Sequence, residues 1–193
     1  MSPLHGDAVR VLSDWRPDDD GQDVLRHDFL AHLSAHEDGM WRECVPGHIT
    51  ASAALLDAAG ERVLLILHPK IGRWVQLGGH CEHDDISLAG VALREAREES
   101  GIAHLRLLPG PVRVDRHDAR CDGRSTVHLN VQYTAIAPPD ARETVSAKAR
   151  DLRWFGVDAL PDLTDAAARD IVAMSRVVFA RTYRSRASHS TMN

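Results

Sequence analysis

Three closely spaced glutamates constrain this chain more than any other feature. Glu95, Glu98 and Glu99 lie in the run REAREESG, and at about 100° per residue they share one face of an α-helix. Toward the N-terminus the same face continues as an apolar stripe of Leu88, Val91 and Ala92. Because an apolar stripe packs against the core, we expect the three carboxylates on the inward side of the helix.

Carboxylates held this close together need a positive partner. Like charges ~5 Å apart repel by roughly 1–3 kcal/mol per pair, and by more when they are partly buried. Carboxylate oxygens without Cys or several converging His select a hard divalent cation. The pattern therefore predicts a site for Mg²⁺ or Mn²⁺, in preference to the alternative of a charge-rich helix exposed to solvent.

The surrounding segment, from Gly79 to Ile102, resembles the Nudix box of the Nudix hydrolases. That signature is G-x5-E-x7-R-E-U-x-E-E-x-G-U, where U is a bulky aliphatic residue. The matching positions are Arg94, Glu95, Glu98, Glu99, Gly101 and Ile102. The front half departs from the pattern: one extra residue precedes Arg94, and Asp85 stands where the family has Glu. We interpret the extra residue as a longer loop into the helix.

The resemblance implies a fold and a set of site residues. The fold is an α/β/α sandwich around a mixed β-sheet, here with an extra N-terminal helix. In the family, the carbonyl of the first glycine of a pair joins the metal shell, which assigns Gly78 to the metal site together with Glu95, Glu98 and Glu99. Glu95 is either a ligand or the base that orients water. Arg94 is expected to fix the carboxylate geometry.

The implied activity is hydrolysis of a diphosphate linkage in a nucleoside diphosphate derivative, by water attack on phosphorus with Mg²⁺ (or Mn²⁺) as cofactor. Relatives often carry a further acid in the loop after the long strand. The loop here offers Asp140, Glu143 and Asp151, while Ala147 and Lys148 occupy places where an acid is plausible. The sequence does not choose among the three acids.

A long alternating strand follows an Asp-Gly turn signal at residues 122–123. Its polar positions are His128, Asn130 and Gln132, and its apolar positions are Val127, Leu129, Val131, Tyr133 and Ala135. We predict that the polar face lines a cleft and binds a base or sugar of the substrate. Solvent exposure of that face is the alternative.

Two other groups of histidines invite a metal-site interpretation. His80, Glu82 and His83 lie just after the glycine pair, but a substrate-facing loop is the favoured interpretation, because soft ligands are not expected to converge there. His32 and His36 have a spacing that is able to bind zinc. The sequence shows no third ligand, so a solvated helix face is favoured for them.

The chain divides into three parts. Residues 1–47 form an N-terminal helical extension. Residues 1–21 are polar and end in Pro17–Gly21, which predicts a loop and allows a helix start. Leu25, Phe29 and Leu33 predict an amphipathic helix from about Asp23 to His36. The Nudix domain follows at 48–183. It ends with a closing helix predicted from the spacing of Leu163, Ala167, Ile171, Met174 and Val178. The polar stretch at 184–193 predicts a disordered tail.

Composition excludes several classes of protein. The net charge of −5 provides no basic field for nucleic acid, and the sequence contains no pattern of a DNA-reading helix-turn-helix. No apolar run is long enough for a membrane span. Three cysteines without paired spacing predict reduced thiols in a cytoplasmic protein. The family resemblance implies a small nucleotide-type substrate as the partner, and a homodimer remains open.

Two functions from different classes fit these patterns. The favoured one is the metal-dependent pyrophosphohydrolase, supported by the intact run from Arg94 to Gly101. The alternative is a catalytically silent Nudix domain that binds a nucleotide or nucleotide sugar as a sensor, suggested by the displaced Asp85.

Overall fold

The computed structural model describes residues 2–145 and 150–190, with side chains up to residue 183. Over these residues the strands form one mixed eight-stranded sheet. The strands are β1 (His48–Leu56), β2 (Arg62–Leu67), β3 (Trp74–Val75), β4 (Leu77–His80), β5 (Arg106–Leu107), β6 (Arg113–Cys121), β7 (Arg124–Ile136) and β8 (Asp151–Gly156). The helices are α1 (Pro3–Asp14), α2 (Asp20–Ala35), α3 (Leu88–Ser100) and α4 (Ala166–Ser190).

The sheet is organised around β1 and β7, which run parallel from the pair His48 and His128 to the pair Leu56 and Ile136. The strand order is β3-β2-β1-β7-β5, with β4 on β1, β6 on β7 and β8 on β2. These other pairs are antiparallel. β1 pairs with β2 only at its C-terminal end and with β4 at Thr50–Ala53, so the strand that carries the two glycines lies beside the middle of β1.

Helices cover both faces, which confirms the predicted α/β/α sandwich. The larger core joins α1, α2 and α3 to one face of β1 and β7, while α4 packs on the other face around Ile171 and Val172. A sharp turn at Asp122 (φ 51°) and Gly123 (φ 78°) joins β6 to β7. Positive φ at both positions matches the Asp-Gly turn that the sequence predicted.

The N-terminal extension contains the predicted helix as α2, whose N-cap is Asp19, and a further helix, α1, which the polar sequence before it did not predict. Helix α1 starts with Ser2, whose side chain accepts from the His5 amide, and has proline in its first turn. Its Leu4, Ala8 and Leu12 recur every four residues and are fully buried. This helical spacing of apolar residues is present in the sequence, but the polar residues between them obscure it.

Both new helices are tied to the domain by polar contacts as well as by the core. Asp7 in α1 accepts a hydrogen bond of 2.8 Å from the Leu88 amide at the start of α3, where a negative charge favourably meets the helix dipole. Gln22 in α2 bonds both backbone groups of Val114 in β6, accepting at 2.7 Å and donating at 3.1 Å. The extension therefore fixes the position of α3.

The closing helix is longer than predicted and buries a different stripe. Ala168, Ile171, Val172 and Ser175 are buried, whereas Leu163 precedes the helix and is exposed, as is Met174. The backbone of residues 184–190, predicted as part of a disordered tail, continues α4 as helix because neither Gly nor Pro interrupts it. Residues 191–193 of that tail lie outside the described residues. Within the described part of the chain, no helix is long and apolar enough to span a bilayer.

Candidate active site

Helix α3 turns Glu95 and Glu99 inward, as the sequence predicts, but Glu98 is exposed, so the expectation of an inward position was wrong for Glu98. It begins at Ser87, whose hydroxyl accepts from the Gly90 amide, and ends at Gly101 in the left-handed region with φ 71°. Glu95 and Glu99 are buried, at 6% and 8% exposure, among the apolar side chains of the same helix face. Glu98 is more open, with 40% of its side chain exposed. The cluster therefore spans the boundary between core and solvent.

The glycine pair in β4 lies against two of these carboxylates. The Gly78 amide donates a 2.9 Å hydrogen bond to Glu99 Oε2. A Cβ at Gly79 would lie 2.6 Å from the Glu95 carboxyl carbon, so only glycine allows this close approach. On the opposite face of the strand, a Cβ at Gly78 would lie 2.3 Å from Ser52 Cβ. Packing against β1 thus requires glycine at position 78, and the observed position of the Glu95 carboxylate requires it at position 79.

Arg94 connects the carboxylates to the loop before α3. Its Nη1 donates to Glu95 Oε1 at 2.8 Å and to Glu98 Oε1 at 3.3 Å. Its Nε and Nη2 donate to the two oxygens of Asp85 at 3.1 and 2.9 Å, and Nη2 also donates to the His80 carbonyl at 2.9 Å. Two carboxylates of the cluster thus share one nitrogen, which fixes their relative positions.

Burial opposes the charge of Arg94, but its hydrogen bonds to Asp85 and Glu95 raise the pKa of its guanidinium above the ordinary value. Burial would raise the pKa of Asp85, but the hydrogen bonds from Arg94 and from the Glu82 amide, together with the charge of Arg94, lower that pKa overall. Both groups are therefore held in their charged forms.

The extra residue in the motif is accommodated in the loop between β4 and α3. Asp85 Oδ2 accepts from the Glu82 amide at 2.8 Å while the same carboxylate holds Arg94. The longer loop closes on itself at this turn, and it delivers an acid to Arg94. The departure from the family pattern therefore leaves the geometry of α3 intact.

The residues around α3 fit a hard divalent cation. Glu95, Glu98 and Glu99 supply carboxylate oxygens, and the cradle beside Gly79 is narrow enough that a single methyl group would fill it. The described residues contain two groups whose ligand atoms lie within 4.8 Å of one another, and neither includes these glutamates, so a bound cation would draw the carboxylates closer together. An oxygen-only donor set of this kind suits Mg²⁺ or Mn²⁺.

The three candidate acids after β7 have different surroundings. Glu143 accepts from the Trp154 indole at 2.9 Å, Asp151 pairs with Arg153, and Asp140 is exposed. The Thr144 amide donates to the Ser100 carbonyl at 2.8 Å, so the segment that carries Glu143 crosses the C-terminal end of α3. Ala147 and Lys148, the other positions considered, lie outside the described residues.

The polar positions of β7 are buried, so the alternative of solvent exposure was wrong for Asn130 and Gln132 (5% and 0% exposed). The Asn130 amide nitrogen donates to the Ser52 hydroxyl at 3.0 Å, and Gln132 Oε1 accepts from Arg113 at 3.2 Å. Their other amide atoms, Asn130 Oδ1 and Gln132 Nε2, are buried without a hydrogen-bond partner among the described residues. Buried amide atoms of this kind mark a place for water or a ligand.

His128, the third polar position, belongs to a group that sequence reasoning missed. Its Nε2 lies 3.2 Å from His80 Nε2 and 3.3 Å from Cys121 Sγ, and His48 adjoins them. The expectation that soft ligands do not converge near His80 was therefore wrong. The four residues come from β1, β4, β6 and β7, and no local spacing reveals such a convergence. Glu82 and His83 are exposed and do not join it.

The histidines of α2 also gain neighbours that their spacing did not show. The rings of His32 and His36 are 4.7 Å apart, and His36 lies close to Asp38 and Cys44. Burial and the neighbouring Asp38 raise the pKa of the Cys44 thiol to about 11. A metal that bound Cys44 would therefore have to displace its proton.

Comparison with known proteins agrees with this geometry. A family model described as NUDIX domain matches residues 46–176, more than half of the chain. A hydrolase of the NUDIX family from Clostridium perfringens is similar in structure, with 21% identity, 70% of this chain and 97% of that chain covered, and a TM-score of 0.56. No curated protein matches the sequence significantly.

Two further structures show the same fold. An Ap4A hydrolase from C. elegans has 15% identity, covers 68% of this chain and 97% of its own, and has a TM-score of 0.55. The dihydroneopterin triphosphate pyrophosphohydrolase of E. coli has 17% identity, covers 69% of this chain and 98% of its own, and has a TM-score of 0.54.

Proposed function

The chain belongs to the Nudix family, and from this membership we propose that it is a pyrophosphohydrolase that cleaves a diphosphate linkage in a nucleoside diphosphate derivative, with Mg²⁺ or Mn²⁺ as cofactor. The observation that carries the proposal is the arrangement of Glu95, Glu98 and Glu99 around Arg94 and the glycine pair. Named relatives of the same fold act on dinucleotide and triphosphate compounds, according to their descriptions.

The carboxylates of α3 would hold the cation. Glu98 and Glu99 are the principal ligands in this proposal, and the Gly78 carbonyl completes the protein's contribution. When bound, the cation would supply Lewis acidity, since it withdraws charge from phosphate oxygens and makes water more acidic. Arg94 contributes by orientation, because a single guanidinium fixes two of the carboxylates and is itself held by Asp85.

Glu95 is assigned to the proton transfer or to metal binding. It is the most buried of the three glutamates and is oriented by a 2.8 Å hydrogen bond from Arg94. A carboxylate oriented in this way is suited to accept a proton from a water that attacks phosphorus in line with the leaving group. Among the candidate acids after β7, Glu143 is adjacent in sequence to Thr144, which contacts Ser100 at the end of α3. We therefore propose Glu143 as the further acid that relatives carry outside the Nudix box.

The nucleoside would bind on the other face of the sheet, at the polar positions of β7. Asn130 Oδ1 offers an acceptor and Gln132 Nε2 offers a donor, and neither has a protein partner among the described residues. A base edge that carries one donor and one acceptor would satisfy both atoms. The buried position of these groups favours readout of a base or sugar over contact with bulk water.

The test is a turnover screen with a panel of nucleoside diphosphate derivatives and either Mg²⁺ or Mn²⁺, followed by identification of the phosphate-bearing products. We expect multiple turnovers of at least one compound and loss of turnover in Glu98→Gln. Glu61→Gln is the matched control, because Glu61 is an exposed glutamate in the turn before β2 and should retain full activity. A Glu98→Gln variant as active as the parent would refute the assignment.

A silent, ligand-binding Nudix domain was suggested by the displaced Asp85. That acid pairs with Arg94 through both oxygens, so the displacement no longer favours a silent domain. Saturable binding of a compound without any turnover in the same screen would support the silent, ligand-binding domain.

A further inference from the structure

We propose that His48, His80, His128 and Cys121 form a structural zinc site on the face of the sheet opposite the α3 carboxylates. A ligand atom from each of the four residues lies within 4.8 Å of the others. One thiol and three imidazoles are a ligand set that Zn²⁺ prefers and Mg²⁺ does not. The site is separate from the α3 carboxylates in both position and chemistry, and it lies on the same face of β7 as Asn130, two residues from His128.

The distances match a tetrahedral ion. Zinc binds imidazole nitrogen at about 2.0–2.1 Å and thiolate sulfur at about 2.3 Å, so tetrahedral ligands are about 3.3 Å apart for two nitrogens and about 3.5 Å apart for nitrogen and sulfur. The observed separations are 3.2 Å between the Nε2 atoms of His80 and His128, and 3.4 and 3.3 Å from these atoms to Cys121 Sγ.

Hydrogen bonding alone accounts poorly for the cluster. In a neutral imidazole each ring nitrogen is either a donor or an acceptor, so three atoms in mutual contact cannot all form straight hydrogen bonds. His48 is fully buried, and neither of its ring nitrogens has a hydrogen-bond partner among the described residues. A cation at the centre would bind a ring nitrogen of His48. It would also explain why His80 Nε2, His128 Nε2 and Cys121 Sγ lie so close to one another.

The ligands are rigidly placed on the strands of the sheet. Zinc binds imidazole in its neutral form and cysteine as the thiolate, so binding would release the proton of the Cys121 thiol. His48 and His128 are register partners in β1 and β7, and Cys121 ends β6 at the tight turn.

The position of His80 indicates what the zinc would do. Side chains alternate along β4, so the His80 ring lies on the face away from Glu95, while its backbone carbonyl accepts a hydrogen bond from Arg94. A zinc ion bound to His80 would therefore hold the strand that carries Gly78 and Gly79. With four protein ligands there is no open coordination position, which is typical of a structural site.

The experiment titrates the metal-free full-length protein with Co²⁺ as a spectroscopic substitute for zinc, with excess Mg²⁺ present to occupy the carboxylate site. We expect one equivalent of Co²⁺ to produce a thiolate-to-cobalt charge-transfer band and the visible bands of tetrahedral cobalt. One equivalent of Zn²⁺ should abolish both and should raise the Tm. Absence of the charge-transfer band, or no change in Tm with zinc, would overturn the proposal.

Variants locate the ion. Cys121→Ser should lose the charge-transfer band, whereas Cys44→Ser should keep it, because Cys44 belongs to the separate group near His36. His117→Ala should also keep it, since the His117 ring lies 5.2 Å from that of His128 but is bonded to Asp115. Loss of the band in Cys44→Ser with retention in Cys121→Ser would overturn the proposal.

A second measurement does not depend on how the variants fold. X-ray absorption at the zinc edge of the unaltered, zinc-loaded protein should report three nitrogen ligands and one sulfur ligand. A shell of oxygen atoms, or a shell without sulfur, would contradict the assignment. Activity enters neither test, so the zinc site and the hydrolase site stand or fall separately.

Discussion

Asp85 holds Arg94 through both of its carboxylate oxygens, at 3.1 Å from Nε and 2.9 Å from Nη2. The remaining nitrogen of the guanidinium, Nη1, donates to Glu95 and Glu98. The loop before α3 is one residue longer than the family pattern, and its acid is one methylene shorter than glutamate. A shorter side chain on a longer loop reaches the same guanidinium, so the two departures compensate for each other.

This pairing predicts a specific loss of activity in Asp85→Asn. Neutral asparagine cannot accept two charge-assisted hydrogen bonds from Arg94, so the guanidinium would lose its fixed orientation and Glu95 and Glu98 would lose theirs. We expect kcat to fall by about 10–100-fold, as is typical when a residue that orients metal ligands is removed. Asp84→Asn, which removes the same charge from an exposed position in the same loop, should leave kcat unchanged.

The same pair predicts a pH dependence of stability. The pKa of Asp85 is lowered: burial would raise it, but the hydrogen bonds from Arg94 and from the Glu82 amide, together with the charge of Arg94, outweigh burial. Its contribution is therefore full above the unfolded pKa of about 3.9 and is lost as the pH falls through the lower folded value. Urea unfolding of the parent and of Asp85→Asn should give a constant difference in free energy near neutral pH and a shrinking difference below about pH 4. A difference that stays constant down to pH 3 would exclude the ion pair as its cause.

The N-terminal helices contribute to the core, and truncation of one side chain tests this. Leu12 in α1 is fully buried in the cluster that contains α3. Leu12→Ala should reduce the free energy of unfolding by about 2–5 kcal/mol, the usual cost of removing a buried leucine side chain. Val24→Ala in α2, where the side chain is 62% exposed, should change it by less than about 0.5 kcal/mol. Equal effects of the two substitutions would show that the extension does not share the core.

How much of this structure the sequence predicts depends on whether the signal is local. Helix α3 and the glycine pair were predictable because their residues lie within one short segment, and glutamates three and four apart share a face whatever surrounds them. The parallel pairing of β1 with β7 brings together residues 80 positions apart, and it underlies the contact between His48 and His128. No spacing rule anticipates such a contact.

Helix α1 was missed for a different reason. Its apolar side chains are only Leu4, Ala8 and Leu12 with a few partly buried neighbours, and polar residues separate them. Its stability depends on tertiary packing rather than on helix propensity. Ser2 followed by Pro3 is a recognisable helix start, and it is the one local signal that could have identified the helix.

Substitution of alanine for each glycine of β4 should have a different effect: loss of activity at Gly79 and loss of stability at Gly78. In Gly79→Ala the new methyl group meets the end of the flexible Glu95 side chain at 2.6–2.7 Å, and that side chain is able to move away. The move would break the hydrogen bond from Arg94 to Glu95, so activity should fall by about 10²-fold, as expected for a misplacement of the order of 1 Å. The free energy of unfolding should change by less than about 1 kcal/mol.

In Gly78→Ala the methyl group would instead meet the Ser52 backbone at 2.6 Å and the Ala51 carbonyl at 2.8 Å. Backbone atoms inside a sheet cannot yield in the same way, so this variant should lose stability by at least about 1–3 kcal/mol. Gly6→Ala, in α1 with no atom within 4 Å of the added carbon, is the control and should be slightly stabilising. Urea unfolding and kcat measured on all three variants separate the two effects. If Gly79→Ala loses stability but keeps kcat, the close approach to Glu95 serves folding and not the reaction.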